Sequence, residues 1–239
     1  MAHGWECVNT NEIRALLSST IIVRERITFI MRSRIPTSHS IDYHLPMKLT
    51  LQAMPNEIRR LETERLLLRA FMLSDAPRVH QLAGDKEIAA TTSLIPHPYP
   101  KGEAERWIST HAASFAAGAS ARFAITRRSD SVLIGAIGLE IHPNHNRAEV
   151  GYWIGKDYWG QGYATEALRP VLAYGFSRGL HRIWAEYFAH NPASGRVMQK
   201  VGMRHEGTLR HHMVKWGESV DCEVYGILSS EFHSTEPSR

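Results

Sequence analysis

The stretch Glu149-Val-Gly-Tyr-Trp-Ile-Gly-Lys-Asp-Tyr-Trp-Gly-Gln-Gly-Tyr-Ala-Thr-Glu-Ala167 decides the reading of this chain. It opens as a strand, with Val150, Tyr152 and Ile154 on one face and Glu149, Gly151 and Trp153 on the other. It turns at Gly160-Gln161-Gly162 and enters a helix near Tyr163. Glycines let the chain turn with its N–H groups aimed one way, and a helix start adds N–H groups that have no intrahelical acceptor. Together they make a site for a phosphate or pyrophosphate. A Rossmann fingerprint would need glycine where Thr165 stands and an acidic residue closing the next strand. A P-loop would need Gly-Lys-Ser/Thr. Neither pattern is present.

Working outward, Arg147 to Gly155 is the strand and Tyr163 to Arg178 the helix, with Gly179 suited to the residue just beyond its end. Upstream, Leu66–Phe71 reads as a strand, and Ser74-Asp75 as the cap of a short helix running to about Gly84. Lys101 to Ala117 fits a second helix, with Trp107, Ile108, His111 and Phe115 at helical spacing. Ala121–Thr126 and Val132–Ile141 are strands, and Pro143–Asn146 is a turn. Downstream come a strand at Arg182–Phe188, a helix at Asn191–Val201, and strands Met203–Met213 and Ser219–Leu228 around a Trp216-Gly217 turn. This order implies a mixed α/β layer architecture without internal repeats.

Residues 1–57 lack a sustained period and read as a poorly ordered N-terminal extension. Residues 58–232 form the domain and 233–239 a C-terminal tail. Glu6, Glu12 and Glu25 argue against a transit peptide despite the nearby arginines. No run reaches the roughly 18 apolar residues that would suggest a membrane span, so no membrane partner is expected. The net charge of +4 is spread rather than gathered into a basic stripe, which argues against a nucleic-acid partner. Cys7 and Cys222 lie far apart, excluding a disulfide framework and a cysteine-based zinc site. The fourteen histidines read mostly as surface residues, and no metal is expected. The expected compartment is cytoplasmic.

The chain resembles the GCN5-related N-acetyltransferase (GNAT) superfamily, and within it the RimJ/RimL-type ribosomal-protein alanine acetyltransferases. The matching pieces are Leu61-Glu-Thr-Glu-Arg-Leu-Leu-Leu-Arg69, Ala148–Ile154, Tyr158–Ala167, Asn191-Pro-Ala-Ser194 with Lys200–Met203, and Glu206–Arg210. They span residues 61 to about 228. The resemblance implies a mixed, mostly antiparallel splayed sheet of about seven strands flanked by about four helices. Strand Arg147–Gly155 would part from strand Arg182–Phe188 to admit the pantetheine arm of acetyl-CoA, the implied co-substrate. Tyr152, Trp153 and Ile154 would contact that arm. The diphosphate would sit on the turn formed by Trp159, Gly160, Gln161, Gly162, Tyr163, Ala164 and Thr165. The superfamily often has Gln or Arg at the position of Trp159, a departure that backbone binding tolerates. Asn191 has two readings, helix N-cap and partner to the pantetheine.

The implied reaction is direct aminolysis of the thioester in a ternary complex with a primary amine, on a protein N-terminus or a small molecule. The amine must lose a proton, the oxyanion needs an N–H donor such as a strand amide near Tyr152–Ile154, and the thiolate gains from a nearby proton. Glu149 is the candidate base, against a reading as a carboxylate paired with Arg147 or a neighbouring strand. His142 and His145 are alternatives by titration range. Relatives often place a tyrosine acid where Met198 stands, while Ser194 resembles the serine that this branch sets near the thiol; a small residue easing helix approach is its other reading. Trp107, Trp153, Trp159 and Tyr187 are either acceptor-pocket or core aromatics. Glu166 reads as a helix-dipole carboxylate. The acceptor would be held by the loops Thr91–Pro100 and Lys215–Asp221. A non-catalytic acyl-CoA-binding sensor is the alternative from another class, and a monomer or homodimer is expected.

Overall fold

Alternation of side chains along the strands builds one apolar core on each face of a sheet. In the strand Ser120–Arg127, Phe123 and Ile125 join the larger core, and Ala124 joins the smaller one. The structure is a computed structural model that describes residue 58 and residues 60–233. The expected N-terminal extension at residues 1–57 lies outside the described residues, as do 234–239 of the expected tail.

In chain order the elements are β1 (Leu61–Glu62), β2 (Leu66–Arg69), α1 (Ala76–Ala83), α2 (Lys86–Ala90), α3 (Glu103–Ser109) and α4 (His111–Ala116). Then follow β3 (Ser120–Arg127), β4 (Leu133–His142), β5 (Arg147–Ile154), α5 (Tyr163–Ser177), β6 (Arg182–Phe188), α6 (Pro192–Lys200), β7 (Arg204–Lys215) and β8 (Glu218–Leu228). They form one 8-stranded sheet in the order β1-β2-β3-β4-β5-β6-β8-β7. Every neighbouring pair is antiparallel except β5 and β6. The expected architecture holds, with the two-residue β1 as an added strand.

Ala167, Leu168, Val171, Leu172 and Gly175 make the buried stripe of α5, and its contacts with Phe123, Ile137, Leu139 and Ile183 form the larger core. On the other face Ala76, Val79 and Leu82 of α1 meet Ala104 and Ile108 of α3. Burying a leucine- or valine-sized side chain contributes roughly 1.5–3 kcal/mol, so these two stripes fix both helix layers against the sheet.

Three local readings need correction. The helix expected over Lys101–Ala117 is broken at Thr110, where the Ser109 and Thr110 hydroxyls donate back to the carbonyls of Arg106 and Trp107, both at 2.7 Å. Such back-bonding competes with the helical ladder. Asp75 does not cap α1 with its side chain. Its carboxylate accepts instead from the Met72 amide and, at 2.8 Å for each oxygen, from Arg69. Five-residue α2 was not expected, although Asp85 caps it by accepting from the Glu87 amide at 2.8 Å.

Candidate active site

The strands β5 and β6 run parallel but pair only through Arg147–Arg182, Ala148–Ile183 and Glu149–Trp184. Beyond these rungs they part. β5 keeps its pairing with β4 as far as Ile154, and β6 keeps its pairing with β8 as far as Phe188. A cleft of about 830 Å³ occupies the opening. Parallel pairing puts the C-terminal ends of both strands on the same side, so the turn before α5 and the start of α6 both border the gap.

The turn end is built as the sequence suggests. Gly160 has φ 73° and Gly162 φ 82°, left-handed values that a side chain resists. The first helical bond of α5 runs from the Glu166 amide to Gly162 O at 3.0 Å. The N–H groups of Tyr163, Ala164 and Thr165 therefore precede any helical acceptor, and these residues line the cleft. Gln161 does not line it. Its side chain donates to Asp157 O at 3.1 Å, and its carbonyl accepts from Arg65 at 3.1 Å. Trp159 lies at the rim, its indole N–H donating to Ile154 O at 2.6 Å.

Glu166 has a larger structural role than a dipole partner. It accepts from Thr63 Oγ1 at 2.6 Å, from the Arg65 amide at 2.9 Å and from Arg65 Nε at 2.7 Å. Burial alone would raise its carboxyl, but these bonds and the Arg65 charge hold it below the ordinary range. Arg65 also lies 4.5 Å over the Tyr163 ring.

In mid-cleft, Tyr152 of β5 meets the start of α6. Its hydroxyl is 2.8 Å from Ser194 Oγ and donates to Ser194 O at 3.2 Å. Burial raises the Tyr152 phenol well above its usual range, so it keeps its proton. Asn191 takes the N-cap position of α6 and lines the cleft, but its side chain makes no cap bond, which removes half of its double reading. Gly195 lets Tyr187 approach: a Cβ there would lie 2.8 Å from Tyr187 Cζ. Met198 is buried in the larger core, with 1% of its surface exposed.

At the far end Glu149 lies directly across from Glu140 and near Glu186. Burial first, then the charges of Glu186 and Glu140, push its carboxyl upward. Arg122 pairs with Glu140, and His212 Nε2 is 3.6 Å from Glu186. Arg147 instead stacks on Trp184 at 4.9 Å, so it is not the partner of Glu149 that one reading gave it. His142 packs on Trp184 and His145 sits in an exposed turn. Neither lines the cleft.

Of the four aromatics with two readings, Trp107, Trp153, Trp159 and Tyr187 all line the cleft. The first two also pack against the smaller core, and Tyr187 packs against the larger. Lys215 Nζ, at the end of β7, donates to Thr92 O at 2.8 Å and Ile95 O at 3.0 Å. The two loops expected at the acceptor end are thereby latched to each other. The residues that sequence reasoning missed are Arg65, Glu186 and Lys215. Arg65 stood inside a quoted motif and Lys215 at the start of a loop expected at the acceptor end, while Glu186 gave no signal beyond its charge.

The family model for the acetyltransferase (GNAT) domain matches residues 65–204. YoaA of Bacillus subtilis (strain 168), described as an uncharacterized N-acetyltransferase, is 37% identical over 70% of this chain and 96% of its own length. The [ribosomal protein uS5]-alanine N-acetyltransferase of Escherichia coli (strain K12) is 25% identical over 72% of this chain and 92% of its own. Among solved structures, Mycobacterium smegmatis RimJ in complex with CoA-disulfide superposes with a TM-score of 0.63. It is 25% identical and covers 70% of this chain and 83% of that one.

Proposed function

Because the chain belongs to the acetyltransferase (GNAT) family, whose members include acetyl-CoA-dependent N-acetyltransferases, we propose that its cleft transfers an acetyl group from acetyl-CoA to a primary amine by direct aminolysis. The observation that carries this reading is the gap between β5 and β6, which leads from the N–H turn at Gly160–Thr165 past Tyr152 and Ser194 to Glu149. It offers a diphosphate site, a channel for an extended thioester arm and a carboxylate in one continuous space. The CoA bound by the RimJ relative supports the same donor.

The amine reaches the site mainly as an ammonium, which the unneutralised charge around Glu149 and Glu186 attracts. Glu149, directly or through water, takes the proton that frees the lone pair. Its raised pKa makes it a better base than an exposed glutamate. The amine nitrogen then attacks the thioester carbonyl. The C–N bond forms, the C–S bond breaks, and the thiolate departs as the second amine proton passes to solvent water. Ser194 Oγ donates a hydrogen bond to the thiolate, with the Tyr152 hydroxyl 2.8 Å behind it. Since Tyr152 holds its proton, the pair stabilises the sulfur by hydrogen bonding without forming a phenolate.

The acceptor is a polypeptide α-amine on this reading. Leu94 on the cleft rim is 92% exposed, and Trp216, on the hairpin that Lys215 ties to the same loop, is 51% exposed. An apolar rim around a charged pocket suits a chain that continues beyond its amine. The test is calorimetric titration with acetyl-CoA, followed by thiol release with a panel of peptide N-termini and small amines. Absence of acetyl-CoA affinity would sink the donor assignment. Turnover confined to small diamines would replace the peptide with a small-molecule acceptor.

A further inference from the structure

Acetyl transfer leaves the stretch Leu61–Arg69 without a role, although Arg65 within it reaches the turn before α5 and the first turn of that helix. Arg65 uses its donors on two targets. Its main-chain N–H, Nε and outer nitrogen go to Glu166, the last as an ion pair at 2.6 Å, and Nη1 goes to Gln161 O at 3.1 Å. Glu166 stands 101 residues later in the chain, in the first turn of α5.

We propose that Arg65 is a positioning residue that sets the Gly160–Gly162 turn for the donor's diphosphate. This rests on the reading of that turn as the diphosphate site. A trans peptide points its C=O and N–H in opposite directions. Holding the Gln161 carbonyl on the guanidinium therefore turns the Gly162 N–H of the same peptide unit away from Arg65, and Gly162 lines the cleft. Left-handed glycines on both sides make the turn possible and also leave it free to flip; Arg65 removes that freedom. The second contribution is charge. Glu166 sits in the helix turn that must receive an anion, and unpaired it would repel the diphosphate. Arg65, assisted by Thr63, neutralises it.

The experiment titrates CoA and, separately, pantetheine, which lacks the diphosphate, by tryptophan fluorescence into wild type, Arg65→Lys, Arg65→Met and Arg65→Met/Glu166→Gln. Arg65→Lys keeps the charge but cannot fork between Glu166 and Gln161, so it remains informative if Arg65→Met fails to fold. CoA affinity should fall roughly tenfold or more in Arg65→Met, and less in Arg65→Lys, with pantetheine affinity unchanged. The double variant should regain part of the loss. Equal loss for both ligands, or full CoA affinity in folded Arg65→Lys, overturns the proposal. Wild type that binds no CoA sinks the donor reading and this inference with it, whereas unchanged variants of a binding wild type sink the inference alone.

Discussion

Glu149 is a residue whose function and stability pull in opposite directions. Its carboxyl is raised in the folded state by burial and by Glu186 and Glu140. A raised carboxyl favours folding only below its unfolded value of about 4.5, and that contribution is lost as pH rises through the folded value. At pH 7 the charged group is therefore a net cost. Glu149→Gln should lower turnover by roughly 10²-fold or more. The same variant should raise the melting temperature by roughly 1–3 °C. A variant that melts lower and keeps its rate would remove Glu149 from the base role. Ser194→Ala and Tyr152→Phe should cut turnover while acetyl-CoA affinity holds, with serine the larger effect because the proposed mechanism gives it the direct bond to the sulfur. Parallel losses in rate and affinity would make the pair a packing contact. That Glu149 and Ser194 line the cleft was legible, because strand alternation and a short motif locate them. Arg65 and Glu186 were not, because their meaning comes from partners on other elements.

At the scale of elements, the turn and α5 were the most readable part of the chain. Two glycines, a helix start and a strand lie within one short stretch, and local geometry alone sets each of them. Gly162→Glu should weaken acetyl-CoA binding in calorimetry, since it forces a side chain onto a left-handed backbone and sets a carboxylate beside Arg65, whose Nη2 would lie 3.5 Å from the new Cβ and compete with its hold on the turn. The break between α3 and α4 was illegible because hydroxyl back-bonding at Ser109 and Thr110 leaves the apolar spacing intact. Short α2 offers only its Asp85 cap, too small a signal for a periodic pattern. The hairpin β7–β8 was placed correctly, with Trp216 and Gly217 both at positive φ as a two-residue hairpin turn demands. Its latch was not, because Lys215 reaches two main-chain carbonyls of a distant loop. Lys215→Met should raise the KM for the acceptor several-fold and leave acetyl-CoA affinity alone. A matching loss for the donor would show that the latch supports the whole cleft.

For the whole molecule, the two-layer plan followed from the order of elements, while the exchange that seats β8 between β6 and β7 needed the structure. One histidine is an exception to the mostly surface placement expected of these residues. His111 is 7% exposed, packs edge-on to Trp107 at 4.4 Å, and has no hydrogen-bond partner for either ring nitrogen among the described residues. Burial, then the charge of Arg122, lowers its pKa to about 4. Between pH 6.5 and about 4 the unfolded chain takes up a proton that the folded chain refuses, so stability falls as pH drops through that window. His111→Phe should flatten this acid limb in melting temperature against pH, and an unchanged slope would assign the limb to other groups. The parted strands reach further. With three rungs joining β5 to β6, the sheet is a pair of half-sheets riveted at one edge. On the proposed reading an extended ligand arm laid between them stands in for a missing strand, so occupancy should stiffen the span, slow hydrogen exchange along both borders, and make rigidity something the enzyme borrows from its own reactant and surrenders at each product release.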